Sequence, residues 1–190
     1  MKRIISLIVG LMIISAGLVY SATEDSTTVT VTVQYLSVDI QEPSGFGPVA
    51  AGSTFNLATT SCTVVNDGNW ESKWSFKCSS STPTGWTPTS GGAPSTNVEY
   101  RLCAVFKSTA AVTVDFLPAN DYLNTGYRPS GANTNGAFYE YPAYGGQNVA
   151  ASAPSNSRNL WFSFCAPTSA GGNPNSSQQT ISVYVQTQAQ

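Results

Sequence analysis

The stretch FGPVAAGSTFNLATTSCTVVNDGNWESKWSFKC, residues 46–78, decides the fold class. It opens with the tight turn Phe46-Gly47-Pro48-Val49 and crosses a corner at Gly52 and Ser53. It then reads as one strand up to Val65, a reversal at Asn66-Asp67-Gly68, and a second strand through Trp74, Phe76 and Cys78. Asp-Gly supplies the backbone freedom that a tight reversal needs, and the flanks carry β-branched and aromatic residues. The expectation is a strand pair from a β-sandwich.

Upstream, Lys2 and Arg3 precede an apolar run from Ile4 to Val19, and small residues follow at Ser21 and Ala22. This is the pattern of an export signal, expected to span residues 1–22 and to be cleaved near Ala22. The alternative, an uncleaved membrane anchor, fits less well, because the run is short for a span and acidic Glu24 and Asp25 follow at once. Residues 23–190 are expected to form a single secreted or cell-surface domain with no further membrane span. The full chain has a net charge of −2, and the loss of Lys2 and Arg3 makes the mature chain more acidic. With no basic cluster to neutralise phosphates, nucleic acid is not an expected partner. Only 9% of residues are charged, yet 11% are aromatic, which separates this polar surface from that of a disordered chain.

In STTVTVTVQYLSVDI, Val29, Val31, Val33 and Tyr35 alternate with Thr and Gln, and Leu36, Val38 and Ile40 continue on the other parity. A half-buried strand with a bulge is expected. Val98–Phe106, Ala111–Leu117 and the segment from Arg158 read as further strands. QQTISVYVQTQ closes the domain with Ile181, Val183 and Val185 on one face. No helical period is visible, so the pattern implies an all-β, two-sheet sandwich.

The spacing carried by Phe46, Gly47, Val49, Gly52, Val64, Asn66 and Gly68 resembles the immunoglobulin-like domains of the ASPM/SPD-2/Hydin type found in bacterial surface proteins. NLWFSFCAPT followed by QQTISVYV is similar to the closing strands of small secreted immunoglobulin-like proteins. The resemblance covers residues 28–80 and 158–187, and it implies an immunoglobulin-like β-sandwich. Residues 107–157 would be a long Tyr/Gly/Asn-rich insertion. The fold it implies hosts many unrelated roles.

Four cysteines in an exported chain are expected to form two disulfides. Strand parity pairs Cys62 with Cys78 in the core and Cys103 with Cys165 in the opposite environment; the alternative is Cys62–Cys165 with Cys78–Cys103. No C-x-x-C pair and no His is present, which disfavours a metal site and removes Ser-His, Cys-His and His-metal chemistry. Asp67 with Glu71, or Asp115, Asp121 and Glu140, offer carboxylates, read as strand-end and turn residues. Asp115, Asn120 and Asp121 match no calcium loop. No cofactor and no catalytic activity are expected.

The remaining signal is aromatic. Tyr122, Tyr127, Phe138, Tyr139, Tyr141 and Tyr144 lie among Gly, Asn and Pro, and Trp161 sits opposite in parity to Leu160 and Phe162. Tyr on such loops suits adaptable contact surfaces and stacking on sugar rings. These residues are the expected contact surface, with residues 117–157 lying outside the fold's core. Two readings follow. One is a non-catalytic structural subunit of a cell-surface fibre, pilus-like appendage or layer, associating with itself or with other surface proteins. The other is an extracellular carbohydrate-binding module that uses exposed Tyr and Trp.

Overall fold

Eight residues, Glu99–Phe106, form the strand around which the larger sheet is built. Their sequence EYRLCAVF is nearly continuous in apolar character, and seven of the eight positions are buried. A strand reads this way when both of its faces are covered. The structure, a computed structural model of the whole chain, describes residues 28, 30–41, 45–130, 139–140 and 145–189. By its contacts the chain divides between Val33 and Gln34, and the sheets belong to the unit that begins at Gln34.

In chain order the strands are β1 (Asp39–Gln41), β2 (Asn56–Leu57), β3 (Cys62–Val65), β4 (Ser72–Cys78), β5 (Thr87–Pro88), β6 (Glu99–Phe106), β7 (Tyr122–Leu123), β8 (Arg128–Pro129), β9 (Tyr139–Glu140), β10 (Ser157–Cys165) and β11 (Val183–Ala189). The larger sheet runs β1-β3-β10-β6-β5, with β2 also on β10 and β7 and β9 also on β6. The smaller runs β11-β4-β8. The chain is therefore all-β, with two sheets packed on a shared core and one 3-10 turn, Thr113–Asp115, among the described residues. No helix among the described residues is long and apolar enough to cross a membrane.

The core between the sheets joins Val64 of β3, Trp74 and Phe76 of β4, Tyr100, Leu102, Ala104 and Phe106 of β6, and Leu160, Phe162 and Phe164 of β10. The Phe106 ring stands 5.8 Å from Trp74 and 5.6 Å from Phe76, so the aromatic contact itself ties the sheets together. A second cluster covers the outer face of the larger sheet. Cys103 and Val105 are buried there under Phe116, with Leu57, Ala111, Tyr122 and Trp161 packed around them.

Several expectations are corrected. The strands on either side of Asn66-Asp67-Gly68 are not paired with each other: β3 lies in the larger sheet and β4 in the smaller. The turn carries the chain across the sandwich because Asn66 is pinned in the core. Its amide donates to the carbonyls of Trp70 (2.9 Å), Val149 (2.9 Å) and Ala150 (3.1 Å), and its Oδ1 accepts from the Gly68 N–H (3.1 Å). The strand expected up to Val65 is also broken, into β2 and β3.

Along 28–40 the expected strand is confined to Asp39–Gln41, and Thr28 and residues 30–38 lie outside any strand. At Ala111–Leu117 there is no strand; the Asp115 carboxylate accepts from the Val112 N–H (2.7 Å) and folds the segment into the 3-10 turn.

Parts of 117–157 belong to the fold. Leu123 and Val149 are wholly buried, β7 and β9 pair with β6, and β8 pairs with β4. Few β-branched residues mark these segments, and their strands are two residues long, so local pattern does not reveal them. The expected export signal at 1–22 lies outside the described residues.

Candidate functional site

The last strand exposes the feature with most consequence. β11 pairs with β4 along all seven of its residues, from Val183↔Cys78 to Ala189↔Ser72. On its other side no strand is paired among the described residues. Antiparallel ladders alternate between residues that bond across the pair and residues that bond outward. Here the phase is fixed by the neighbours of β4. The Cys78, Trp74 and Ser72 N–H groups donate away from β11, to Asn124, Gly146 and Val149, whereas the Ser79 N–H donates to the Ser182 carbonyl. Val183, Val185, Thr187 and Ala189 therefore turn their own N–H and C=O groups toward the open edge.

The same residues carry the inward side chains. Ile181, Val183 and Val185 pack on the core but stay half-buried, and Tyr184, Gln186 and Gln188 face solvent. Two polar atoms at one register position of this ladder, Thr187 Oγ1 and its partner's Trp74 Nε1, are buried with no hydrogen-bond partner. An unsatisfied buried polar group costs about 1–3 kcal/mol. The sandwich is thus incompletely closed along β11, in backbone pairing and in side-chain cover.

The expected aromatic surface is only partly present. Tyr122 is half-buried in β7, with the Arg128 guanidinium 3.6 Å above its ring and donating to its carbonyl. Trp161 packs into the outer cluster and its indole N–H donates to the Lys107 carbonyl (3.0 Å). Both are corrected from exposed contacts to covering residues, since the loop after β6 folds over them. Tyr139 lies in β9, in register with Val105. Phe138, Tyr141 and Tyr144 lie outside the described residues.

Tyr127 is exposed, and it has company that the sequence reading missed. Lys77 Nζ sits 4.6 Å from the Tyr127 ring centre and 5.1 Å from that of Tyr184. The period-2 pattern of β11 already placed Tyr184 outward; what it lacked was the neighbouring strand.

All four cysteines are buried thiols, and neither expected disulfide is formed. Their faces are as parity suggested: Cys62 and Cys78 lie in the inter-sheet core and Cys103 in the outer cluster. Cys103 is aligned with Ser163, so Cys165 is its diagonal neighbour. Diagonal positions stand about 7–8 Å apart, beyond the roughly 4.4–6.8 Å between Cα atoms that a disulfide usually spans. The Cys78 sulfur instead accepts the Tyr100 hydroxyl at 3.3 Å, across a gap between sheets of about 10 Å.

Burial pushes the Cys78 thiol up to about 11 and the Cys103 thiol up to about 12, the latter against the opposing pull of buried Arg101. Burial raises Cys165 as well. Thiols held protonated in this way make poor nucleophiles.

Four of the candidate carboxylates, Asp67, Glu71, Asp115 and Asp121, are engaged separately. Asp115 is ion-paired with Lys107 at 2.6 Å, Asp121 is buried and accepts from the Leu117 N–H, and Asp67 and Glu71 are exposed turn residues. Glu140 lies in β9. No group of three or more His, Cys, Asp or Glu among the described residues is placed to hold a metal ion. Comparisons with protein-family models, curated proteins and solved structures find no match to this chain.

Proposed function

We propose that the chain is an exported, non-catalytic structural subunit of a cell-surface assembly, built on an immunoglobulin-like sandwich. The strand order supports the fold assignment. The series β1-β3-β10-β6 corresponds to the A-B-E-D sheet of that plan, and β4-β11 corresponds to C-F, with β8 beside β4. The place of strand G, on the outer side of β11, is the open edge. The resemblance carried by Phe46, Gly47, Val49, Gly52, Val64, Asn66 and Gly68 points to the same plan and to bacterial surface proteins.

The observation that carries the functional reading is the edge itself: seven residues of regular strand with half-buried valines and, among the described residues, no strand on the outer side. Natural sandwiches shorten, charge or cover such edges, because an open one recruits another chain. β11 holds no charged residue. Size-exclusion chromatography with light scattering and electron microscopy of the mature protein test the reading. High-mass or fibrous material is the expected result, and a monodisperse monomer at high concentration overturns it.

A second reading rests on the row Tyr127–Lys77–Tyr184, two open rings flanking an ammonium on the outer face of the smaller sheet. Lys77 has no carboxylate within ion-pair distance among the described residues. Such a platform suits stacking on a sugar that bears a negative charge. Affinity electrophoresis through acidic and neutral polysaccharides tests it: retention by the acidic polymer alone, lost in Tyr127→Ala and Tyr184→Ala, is expected. Equal mobility in every gel removes this reading.

A further inference from the structure

The edge of β11 asks for a strand, and the chain contains a strand-forming segment whose described residues belong to no sheet. Residues 28–35, TVTVTVQY, alternate Thr with Val and then Gln with Tyr. Val and Thr are among the strongest strand formers, and the alternation puts Val29, Val31 and Val33 on one face and the threonines on the other. Yet Thr28 and residues 30–35 are outside any strand, and Val31 and Val33 are 76% and 74% exposed. Two large β-branched side chains exposed on one face, in a segment of strong strand propensity, suit an interaction surface.

We propose that this segment of one copy adds as a strand to the β11 edge of a second copy, with Val29, Val31 and Val33 turned into the unfinished core. The proposal deepens the structural-subunit reading and rests on it. Three features of the two surfaces agree. β11 is seven residues long, and the segment before Tyr35 is seven residues, so both span about 23 Å as strands. The edge turns out the N–H and C=O groups of Val183, Val185, Thr187 and Ala189, which an incoming backbone bonds in the manner of β-augmentation. Its inward residues Val183 and Val185 are half-buried, so a facing row of valines completes the core and leaves the threonines in solvent.

The point where the segment leaves the second unit is fixed. The Tyr35 N–H donates to Asn69 Oδ1 (2.6 Å), and its carbonyl accepts from the Asn69 N–H (2.9 Å). Gly68 allows that approach, because a Cβ there would be driven into the Tyr35 carbonyl oxygen. A segment tethered at one end, with its apolar face exposed, is suited to reach a neighbouring molecule. Each copy then donates one segment and accepts another, and such a head-to-tail contact propagates as a fibre unless its rotation closes a ring.

The test uses the mature protein and two paired variants. Val31→Asp with Val33→Asp charges the face that enters the neighbour. Thr30→Asp with Thr32→Asp places the same charge on the face that stays in water. Circular dichroism establishes that both remain folded, which the exposure of these residues leads one to expect. The valine pair should lose the high-mass assembly and the threonine pair should keep it.

A fluorescent peptide of residues 28–35 should bind the valine-pair protein, whose edge is intact. The peptide carrying both Val→Asp changes should bind at least tenfold more weakly. Assembly that persists in the valine pair overturns strand exchange while leaving the subunit reading in place, as does equal loss in both variants or failure of the peptide to bind. A wild-type monomer that excludes the peptide, beside a valine-pair protein that takes it up, shows the segment seated on its own chain; that outcome overturns both.

Discussion

β6 and β11 are both long strands, and they live in opposite circumstances. β6 is buried on both faces and flanked along its length, whereas β11 is covered on one face and, among the described residues, paired on one side only. The difference is written in their sequences. From Leu102 to Phe106 β6 is apolar without a break, and ISVYVQTQ alternates. A continuous apolar strand implies a second layer outside the sheet, which the loop after β6 supplies through Phe116. An alternating strand implies a single covered face, and it leaves open whether another strand lies beside it.

The contrast breaks most visibly at Phe106. Its ring is fully buried and touches the rings of Trp74 and Phe76 across the sandwich. Phe106→Ala should cost about 3–5 kcal/mol, read from the midpoint of chemical denaturation. A loss comparable to that of a half-buried residue would show that the β6 side is no more firmly packed than the β11 side.

Asn66 comes next. It directs the chain from one sheet to the other through three carbonyl acceptors, of which Val149 belongs to a segment that sequence pattern alone left outside the core. Asn66→Ala removes those hydrogen bonds, leaving the Val149 carbonyl only the Ser72 N–H, and should cost about 2–3 kcal/mol in the same measurement. A near-neutral substitution would mean that water replaces the amide and that the corner is held by packing alone.

What was legible follows from these cases. Long strands with one consistent environment, β6, β10 and β11, stand out in sequence, because burial over seven or more residues leaves a pattern. Strands of two residues, such as β7, β8 and β9, leave none, and the stretch that holds them reads as an insertion. The partition of β3 and β4 between sheets is not legible, because Asn-Asp-Gly signals a reversal without saying whether the returning strand stays in the same sheet; the buried contacts of Asn66 decide that. The cysteines illustrate the same limit. Parity assigns faces correctly, but a disulfide also needs register, and the two-pair offset between Cys103 and Cys165 is visible only in the ladder. The open edge was half legible: the closing strand was read with its inward face, but its missing neighbour is a property of the sheet.

On the open side the expected cost is smaller. Val185 is half-buried, so Val185→Ala should destabilise the monomeric protein by about 1 kcal/mol, well below the Phe106 value. Thermal melts at low concentration measure it. A cost above that of Phe106→Ala would show that the edge is already covered in the isolated chain.

The smallest effect concerns the strap over the outer face of β6. Lys107, at the end of that strand, holds Asp115 of the 3-10 turn at 2.6 Å, and Phe116 follows directly into the outer cluster. Burial works against the Asp115 charge, but the Lys107 ammonium and the Val112 N–H outweigh it and hold the carboxyl below its ordinary range. A carboxyl whose folded value lies below its unfolded value stabilises the fold at pH above the unfolded value, and that contribution fades as pH falls through the folded one. Near neutrality the pair should contribute about 1 kcal/mol or less, given its partial exposure. Lys107→Met should therefore lower the denaturation midpoint slightly at pH 7, and the gap from wild type should close as the pH drops below the usual carboxylate range. Among the described residues β11 has no such ion-paired strap on its outer face, so Gln186→Met should show no pH-dependent gap. Parallel acid titrations for wild type and Lys107→Met, with the gap unchanged, would show that the cover over β6 is held by Phe116 packing and not by the ion pair.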